Sequence, residues 1–187
     1  DKNVVLGLSG GVDSSVAAYL LKEQGYEPIG VTLQMWEDKS GACGGLTAAA
    51  DAGSVADSLG IAHHIVDAQA DFEGKVMDYF VREYARGYTP NPCNACNRHV
   101  KWKALMESAK TFHADFIATG HYARILRLDN GRYTVKNAIT AAKDQTYALY
   151  ALTQEQLMHT LMPLGDYEKE EVRALDGELR LSVAHKR

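Results

Sequence analysis

The stretch from Val4 to Ser15 limits this chain to few folds: an apolar run, Val4-Val5-Leu6, feeds Ser9-Gly10-Gly11 and then a helical pattern. A buried strand that turns through two adjacent glycines into a helix makes a phosphate cradle. Glycine carries no Cβ to hold the backbone away from an anion, and a helix start offers unpaired N–H groups and a positive dipole end. Ser9, Ser14 and Ser15 can add hydroxyl donors, and Asp13 can cap the helix or hold a metal near the phosphates. The spacing is neither the Gly-x-x-x-x-Gly-Lys-Ser/Thr of a P-loop nor the Gly-x-Gly-x-x-Gly of a dinucleotide binder. No lysine stands on the loop.

Strand and helix signals alternate beyond it. Strands are predicted over Val4 to Leu8, Glu27 to Leu33, Ala62 to Val66 and His113 to Ala118. Helices are predicted over Ser15 to Gln24, Thr47 to Leu59, Phe72 to Arg86, Val100 to Phe112, Thr153 to Met158 and Glu168 to Leu179, with Gly25 and Gly60 as stops. Asp129-Asn130-Gly131 between Arg124 to Leu128 and Arg132 to Lys136 reads as a hairpin turn. This alternation implies an α/β fold, a doubly wound and mostly parallel sheet with helices on both faces and a small hairpin appendage. Such sheets bind ligands at the carboxyl ends of their strands, which puts Met35, just past the second strand, either against an adenine ring or in the core. Strand alternation sends His63 and His64 to opposite faces, so they are read as structural rather than as one metal site.

With 187 residues, 46% of them hydrophobic and 24% charged, the chain suits one domain with a substantial core. A net charge of −4 argues against a protein held on nucleic acid by bulk charge alone. No stretch approaches a membrane span and no signal peptide is visible, so the expected compartment is the cytoplasm, with no membrane partner.

The segment Thr89-Pro90-Asn91-Pro92-Cys93-Asn94-Ala95-Cys96-Asn97 presents two thiols from a loop stiffened by two prolines. Three chemistries compete for the pair. A thioredoxin-like dithiol would open a helix after a first strand, which this loop does not. A structural zinc site needs two more ligands, for which Cys43, His99, His113 and His121 are the candidates. A sulfur-handling or iron–sulfur site would use Cys93 or Cys96 as thiolate, and an adenylated carbonyl is a carbon that sulfur can attack.

The Ser-Gly-Gly-x-Asp-Ser signature of Ser9 to Ser14 resembles that of the ATP pyrophosphatase superfamily, also called PP-loop proteins, which split ATP between its α- and β-phosphates. Six blocks together narrow this. They are the Ser9 to Val16 loop, Gly30 to Trp36, Thr47 to Asp51, Thr89 to Asn97, Ala118 to Arg124, and Lys143-Asp144-Gln145. In that order they resemble the tRNA-specific 2-thiouridylase family nearly end to end, with a fold like that of the adenine nucleotide alpha hydrolases.

The resemblance implies ATP-dependent 2-thiolation of a tRNA wobble uridine, with ATP and Mg²⁺ as cofactors. The partners it implies are tRNA and a sulfur donor protein or inorganic sulfide. It puts Gly7, Leu8, Ser9, Gly10, Gly11, Val12, Asp13 and Ser14 in the ATP loop, with Met35 and Gly120 at further nucleotide contacts. It assigns Asn91, Pro92 and Cys93 to the target base, Lys143, Asp144 and Gln145 to tRNA, and the nucleophile to Cys96, with Cys93 and Asp13 as catalytic neighbours. Many members carry Asp at the position of Cys93. Having Cys there resembles the subset proposed to hold a [4Fe-4S] cluster through this pair and a third, downstream cysteine, which these 187 residues do not contain. The resemblance also implies a single N-terminal catalytic domain over residues 1–187, with a central domain and a β-barrel following in the family. Two other functions fit the residues, an ATP pyrophosphatase-type synthetase acting on a small molecule and a non-catalytic zinc- and nucleotide-binding module.

Overall fold

The structure, a computed structural model, describes residues 2–35, 46–90, 95–139, 146 and 149–184. Five parallel strands form the central sheet: β1 (Asn3–Gly7), β2 (Glu27–Gln34), β3 (Ala62–Asp67), β4 (Phe116–Ala118) and, at the far edge, β7 (Thr160–Leu161). Their order across the sheet is β3-β2-β1-β4-β7. A separate antiparallel hairpin of β5 (Ala123–Arg127) and β6 (Tyr133–Asn137) forms around the Asp-Asn-Gly turn, as the sequence predicts. The expected α/β sheet with a hairpin appendage is therefore present.

Alternation along β1 divides the core. Val4 and Leu6, with Leu8 just beyond, face the layer of α1 (Val12–Glu23), α2 (Leu46–Leu59) and α7 (Lys169–Ala184), where Val16, Ala17, Leu21, Ala52, Ala56 and Val172 are buried. Val5 faces the other layer, built on α5 (Trp102–Thr111), with Val31, Trp102, Leu105 and Ile117. Both faces are covered, and a parallel sheet requires that of its near-continuous apolar strands. A buried hydrogen bond of 2.9 Å from Trp102 Nε1 to Thr160 Oγ1 ties α5 to the edge strand β7. In the turn between β7 and α7, Gly165 packs so tightly on β5 that a Cβ there would stand 2.2 Å from the Ala123 carbonyl oxygen. Among the described residues no helix is long and apolar enough to cross a membrane.

Several boundaries differ from the sequence reading, each for a local reason. Helix α1 starts at Val12 rather than Ser15, because Gly11 with φ −81° and ψ 171° is already its N-cap. Asp13 and Ser14 therefore sit on the helix's first turn, not in the loop before it. Strand β4 keeps only three of the expected residues. His113, at φ 54°, closes α5 as a left-handed cap, with Ala114 N–H donating to the Ala109 carbonyl at 2.8 Å.

The helix expected from Phe72 to Arg86 begins earlier, as α3 (Gln69–Phe72), and runs through a π-helical turn at Glu73–Met77 into α4 (Asp78–Ala85). A π-turn adds a residue to the repeat and rotates the rest of the helix by about 100°. Of Phe72, Val76, Tyr79, Phe80 and Tyr84, whose helical spacing points to burial, only Val76 is buried, and Tyr84 is 69% exposed. A second π-turn at Asn97–Lys101 likewise starts the next long helix ahead of Val100. The last helix runs on to Ala184. Thr153 and Gln156 form the capping box that starts α6 (Gln154–Met158), in agreement with the expected helix there. His63 and His64 diverge as read: His63 Nε2 lies 2.7 Å from Thr32 Oγ1, whereas His64 stacks on Phe112 at 4.3 Å between centroids.

Candidate nucleotide and thiol site

Strand β1 hydrogen-bonds to β2 on one side and β4 on the other, so the chain winds in opposite directions from it. The crevice at its carboxyl end is a topological switch point, where open α/β sheets take ligands. Leu8 to Ser14 on one side and Thr119 to Tyr122 on the other meet there. Leu8 is buried at 1% exposure, and both its backbone groups are already paired, its N–H donating to the Val31 carbonyl at 2.9 Å and its carbonyl accepting from Thr32 Oγ1 at 2.7 Å. Gly7 ends β1 with its open side toward Leu105.

The two loop glycines have different duties. Gly10 takes φ +80°, and a Cβ there would lie 2.7 Å from Asp51 Cβ, 2.8 Å from the Ala48 carbonyl oxygen and 2.9 Å from Ala52 N. It lets α2 close against the turn. A Cβ on Gly11 would meet only Ser9 Oγ at 3.5 Å, so this glycine keeps the mouth of the cradle open. The N-cap Gly11 has no side chain to cap α1, and among the described residues no capping hydrogen bond is made there, which leaves the first-turn N–H groups of Val12, Asp13 and Ser14 as candidate donors to an anion. Ser14 Oγ accepts from Ser9 N–H and lies 3.1 Å from Ser9 Oγ, which holds the two hydroxyls together. Ser15, buried like Ser14, donates to the Gly11 carbonyl at 2.7 Å, whereas Ser14 Oγ reaches that oxygen only at 3.3 Å and keeps its contact with Ser9, so of the two hydroxyls Ser15's is the one turned into the helix.

Asp13 does not cap its own helix, contrary to one of the two sequence readings. Its Oδ1 accepts from Tyr122 Oη at 2.9 Å and pairs with the ammonium of Lys169. Burial, then the Asp13 hydrogen bond, pushes the Tyr122 phenol well above its usual range, so Tyr122 stays a proton donor to that carboxylate. Gly120 makes this approach possible: a Cβ there would stand 2.9 Å from Ser14 N and 3.0 Å from the Asp13 carbonyl carbon. The expected nucleotide-contacting glycine thus lies directly over the first turn of α1. Neither Tyr122 nor Lys169 is named by the sequence reading of the site. Tyr122 stands inside a recognised block, but Lys169 lies 156 residues from Asp13 and carries no local signal.

Cys96, the expected nucleophile, is half-buried at the start of the second π-turn and packs beside Val76 and Val100. Its Sγ lies 3.7 Å from Met35 Sδ. Met35 lies just past β2 and packs against both the Leu33 and the Val76 sides of the core, as the core reading of it expects. Asn91, Pro92, Cys93, Cys43, Lys143, Asp144 and Gln145 lie outside the described residues. His113 precedes β4 and His121 comes after it, so a zinc site cannot draw on both. Among the described residues no three His, Cys, Asp or Glu side chains gather as a metal site. They supply one thiol, that of Cys96, which is too few for an iron–sulfur cluster. The donor set at Asp13 does fit a magnesium ion, which needs one or two carboxylates and takes its other ligands from phosphate and water.

His121 donates to or accepts from Thr119 Oγ1 through Nδ1 at 2.8 Å and leans on the Trp102 ring, 5.5 Å between centroids. Burial, then Lys101, holds its pKa well below the ordinary 6.5, and burial followed by His64 lowers that of His63 as well. An unfolded chain would take up these protons first. The stability from the neutral rings is fully present above pH 6.5 and is lost as pH falls through the folded values. Replacing His121 with Gln should flatten the fall in stability between about pH 6.5 and 5 by about 1 kcal/mol or more. Urea denaturation across that window checks it, and an unchanged slope would contradict the assignment.

A parallel sheet in this order, with a Ser-Gly-Gly-x-Asp-Ser turn at its switch point, defines an α/β protein of the PP-loop type. Comparison with known proteins narrows the class. The family model described as "tRNA methyl transferase HUP domain" matches residues 2–187, and the chain belongs to that family. It is 57% identical to the tRNA-specific 2-thiouridylase MnmA of Lachnoclostridium phytofermentans over 99% of this chain and 54% of that protein. It is 50% identical to the MnmA of Clostridioides difficile over 100% of this chain and 53% of that one. The chain thus spans about half the length of the curated relatives it matches. Among solved structures, the U34-tRNA thiolase NcsA of Methanococcus maripaludis, described with its [4Fe-4S] cluster, superposes with TM-score 0.59 at 24% identity. That match covers 96% of this chain and 57% of NcsA, and the likeness is one of fold.

Proposed function

We propose that this chain is the ATP-using part of a tRNA-uridine 2-sulfurtransferase. The observation that carries it is the 3.7 Å contact between Cys96 Sγ and Met35 Sδ, which sets the thiol beside the residue that follows β2 at the carboxyl edge of the sheet. The close identity to proteins named tRNA-specific 2-thiouridylases supports the same reading. In the first half-reaction, O2 of the uridine attacks the α-phosphorus of ATP and pyrophosphate leaves. The first-turn N–H groups of α1, the hydroxyls of Ser9 and Ser14, and the open face at Gly11 hold the phosphates. Asp13 would hold Mg²⁺, which supplies charge that eases departure of the pyrophosphate. Met35 and Gly120 border the nucleoside.

In the second half-reaction sulfur attacks C2, and AMP leaves with the oxygen that was O2. Cys96 carries that sulfur as a persulfide passed to it from a protein donor's persulfide. Once the outer sulfur has bonded C2, the Cys93 thiol attacks Cys96 Sγ, so the S–S bond breaks, the sulfur stays on C2 and the two cysteines end as a disulfide. Inorganic sulfide would instead attack C2 directly, with no persulfide. Asn91, Pro92 and Cys93 frame the target base, and Lys143, Asp144 and Gln145 meet the tRNA. The described residues supply no cluster site, and no step here runs through one. We place the reaction in the cytoplasm.

Incubating the full-length protein with ATP, unmodified tRNA and sulfide should release AMP and pyrophosphate only when tRNA is present. Thiolated uridine should then appear in the digested tRNA by mass spectrometry. AMP release that depends on a small amine instead of tRNA would replace this reading with that of a small-molecule synthetase.

A further inference from the structure

The phosphate cradle carries no lysine of its own, yet a lysine stands beside it. Lys169, the first residue of α7, reaches across to α1, which α7 packs against. Its ammonium pairs with Asp13 Oδ1 and sits 5.3 Å above the centroid of the Tyr122 ring. The lysine side chain is only 17% exposed and the Asp13 carboxylate 38%. The ammonium is therefore sheltered, whereas the carboxylate keeps a face open to an incoming cation. Asp13 is the second residue of α1, so Lys169 stands within one residue of the first-turn N–H groups that are the candidate anion donors.

Holding a flexible, strongly hydrated ammonium in a sheltered place costs entropy and hydration. A single carboxylate, itself already hydrogen-bonded to Tyr122, compensates only in part. The arrangement suits a cation stored next to the place where several negative charges will arrive. A triphosphate brings about four such charges, and a lysine on the loop is how P-loop proteins meet them. Here the equivalent charge would come from a different element, at the other end of the chain.

We propose that Lys169 is a phosphate-binding residue of this site, held on Asp13 in the empty protein and moving to a β- or γ-phosphate oxygen when a nucleotide binds. Asp13 is thereby released to ligate a divalent cation. Tyr122 keeps its hydrogen bond to the carboxylate through the exchange and stops it from moving with the lysine. The assignment rests on the nucleotide reading of the cradle above, and it adds a specific contact to the pyrophosphate portion of ATP.

Titration calorimetry on the full-length protein with MgATP, magnesium pyrophosphate and AMP tests it. Lys169→Met keeps the apolar stem against Tyr122 and removes the charge. It should weaken MgATP and magnesium pyrophosphate binding by about tenfold to thirtyfold and change AMP binding by less than about twofold. Lys169→Arg keeps the charge and should restore pyrophosphate binding to within about threefold of the parent. Thermal melts of both variants separate a folding defect from a binding one. Equal losses for AMP and ATP, or unchanged ATP affinity in a folded Lys169→Met, would show that the lysine only braces α7 against α1. Failure of the parent protein to bind either ATP or pyrophosphate is a different result: it overturns the nucleotide reading itself, and this assignment with it.

Discussion

Replacing Cys96 with Ser should lower the rate of tRNA thiolation by about a thousandfold or more while leaving MgATP affinity within about twofold. The expectation comes from the difference between a thiol and a hydroxyl of nearly the same shape. A thiol near neutral pH exists in part as thiolate and is intrinsically nucleophilic, whereas a serine hydroxyl without an adjacent base is neither. Sulfur can be carried on sulfur, and an oxygen in that place cannot accept it as a persulfide. The structure separates this effect from a loss of folding. Cys96 is half-buried beside Val76 and Val100, and it touches Met35 through sulfur at 3.7 Å. Shrinking that group costs about 1 kcal/mol of packing, which a domain of this size tolerates. The readouts are the thiouridine content of the product tRNA, the ATP affinity and the melting temperature of the variant. A Cys96→Ser protein that still thiolates tRNA at roughly a tenth of the parental rate would remove Cys96 from the chemistry. ATP affinity lost in step with product would instead mean that the Met35 contact supports the nucleotide pocket more than it serves sulfur transfer.

The sheet was readable because burial on both faces forces continuous apolar strands, and Val4-Val5-Leu6 is such a run with each side chain used. Local turn chemistry was readable for the same kind of reason. Asp129-Asn130-Gly131 and the Thr153–Gln156 capping box act within a few residues of themselves. Nonlocal and phase-dependent features escaped. The π-turns at Glu73–Met77 and Asn97–Lys101 leave the apolar spacing of a helix intact while rotating the turns beyond them, which is how Tyr84 reads as buried and stands exposed. Strand β7 has two residues and no periodicity to detect. At the site, the glycines, Asp13 and Cys96 carried their chemistry in their neighbours along the chain. Lys169 and Tyr122 acquire theirs only when α7 and the turn after β4 close on α1. His113 looks like the start of a strand because its neighbours are apolar, but capping α5 takes precedence.

The two loop glycines give the second large effect, and they should fail in different ways. Gly10→Ala puts a Cβ within 2.9 Å of two backbone atoms of α2, at the Ala48 carbonyl oxygen and Ala52 N, and 2.7 Å from Asp51 Cβ. Backbone in the middle of a packed helix does not give way cheaply, so α2 must move or the turn must change. The left-handed φ of +80° adds about 1 to 2 kcal/mol for any residue with a Cβ. Together these should destabilise the protein by about 3 kcal/mol or more, seen as a fall in melting temperature of roughly 6 to 12 °C. MgATP binding should fall with it, because α2 holds the back of the turn. Gly11→Ala is the contrasting case. Its φ of −81° is ordinary for alanine, and the new methyl would meet only Ser9 Oγ at 3.5 Å. That variant should melt within about 2 °C of the parent yet bind MgATP at least about tenfold more weakly, because its methyl stands where the phosphates must approach the N–H groups of α1. A Gly11→Ala protein with unimpaired nucleotide affinity would move the anion site away from the α1 N-terminus. A Gly10→Ala protein of unchanged stability would mean that the approach of α2 to the turn is looser than the Asp51, Ala48 and Ala52 distances describe.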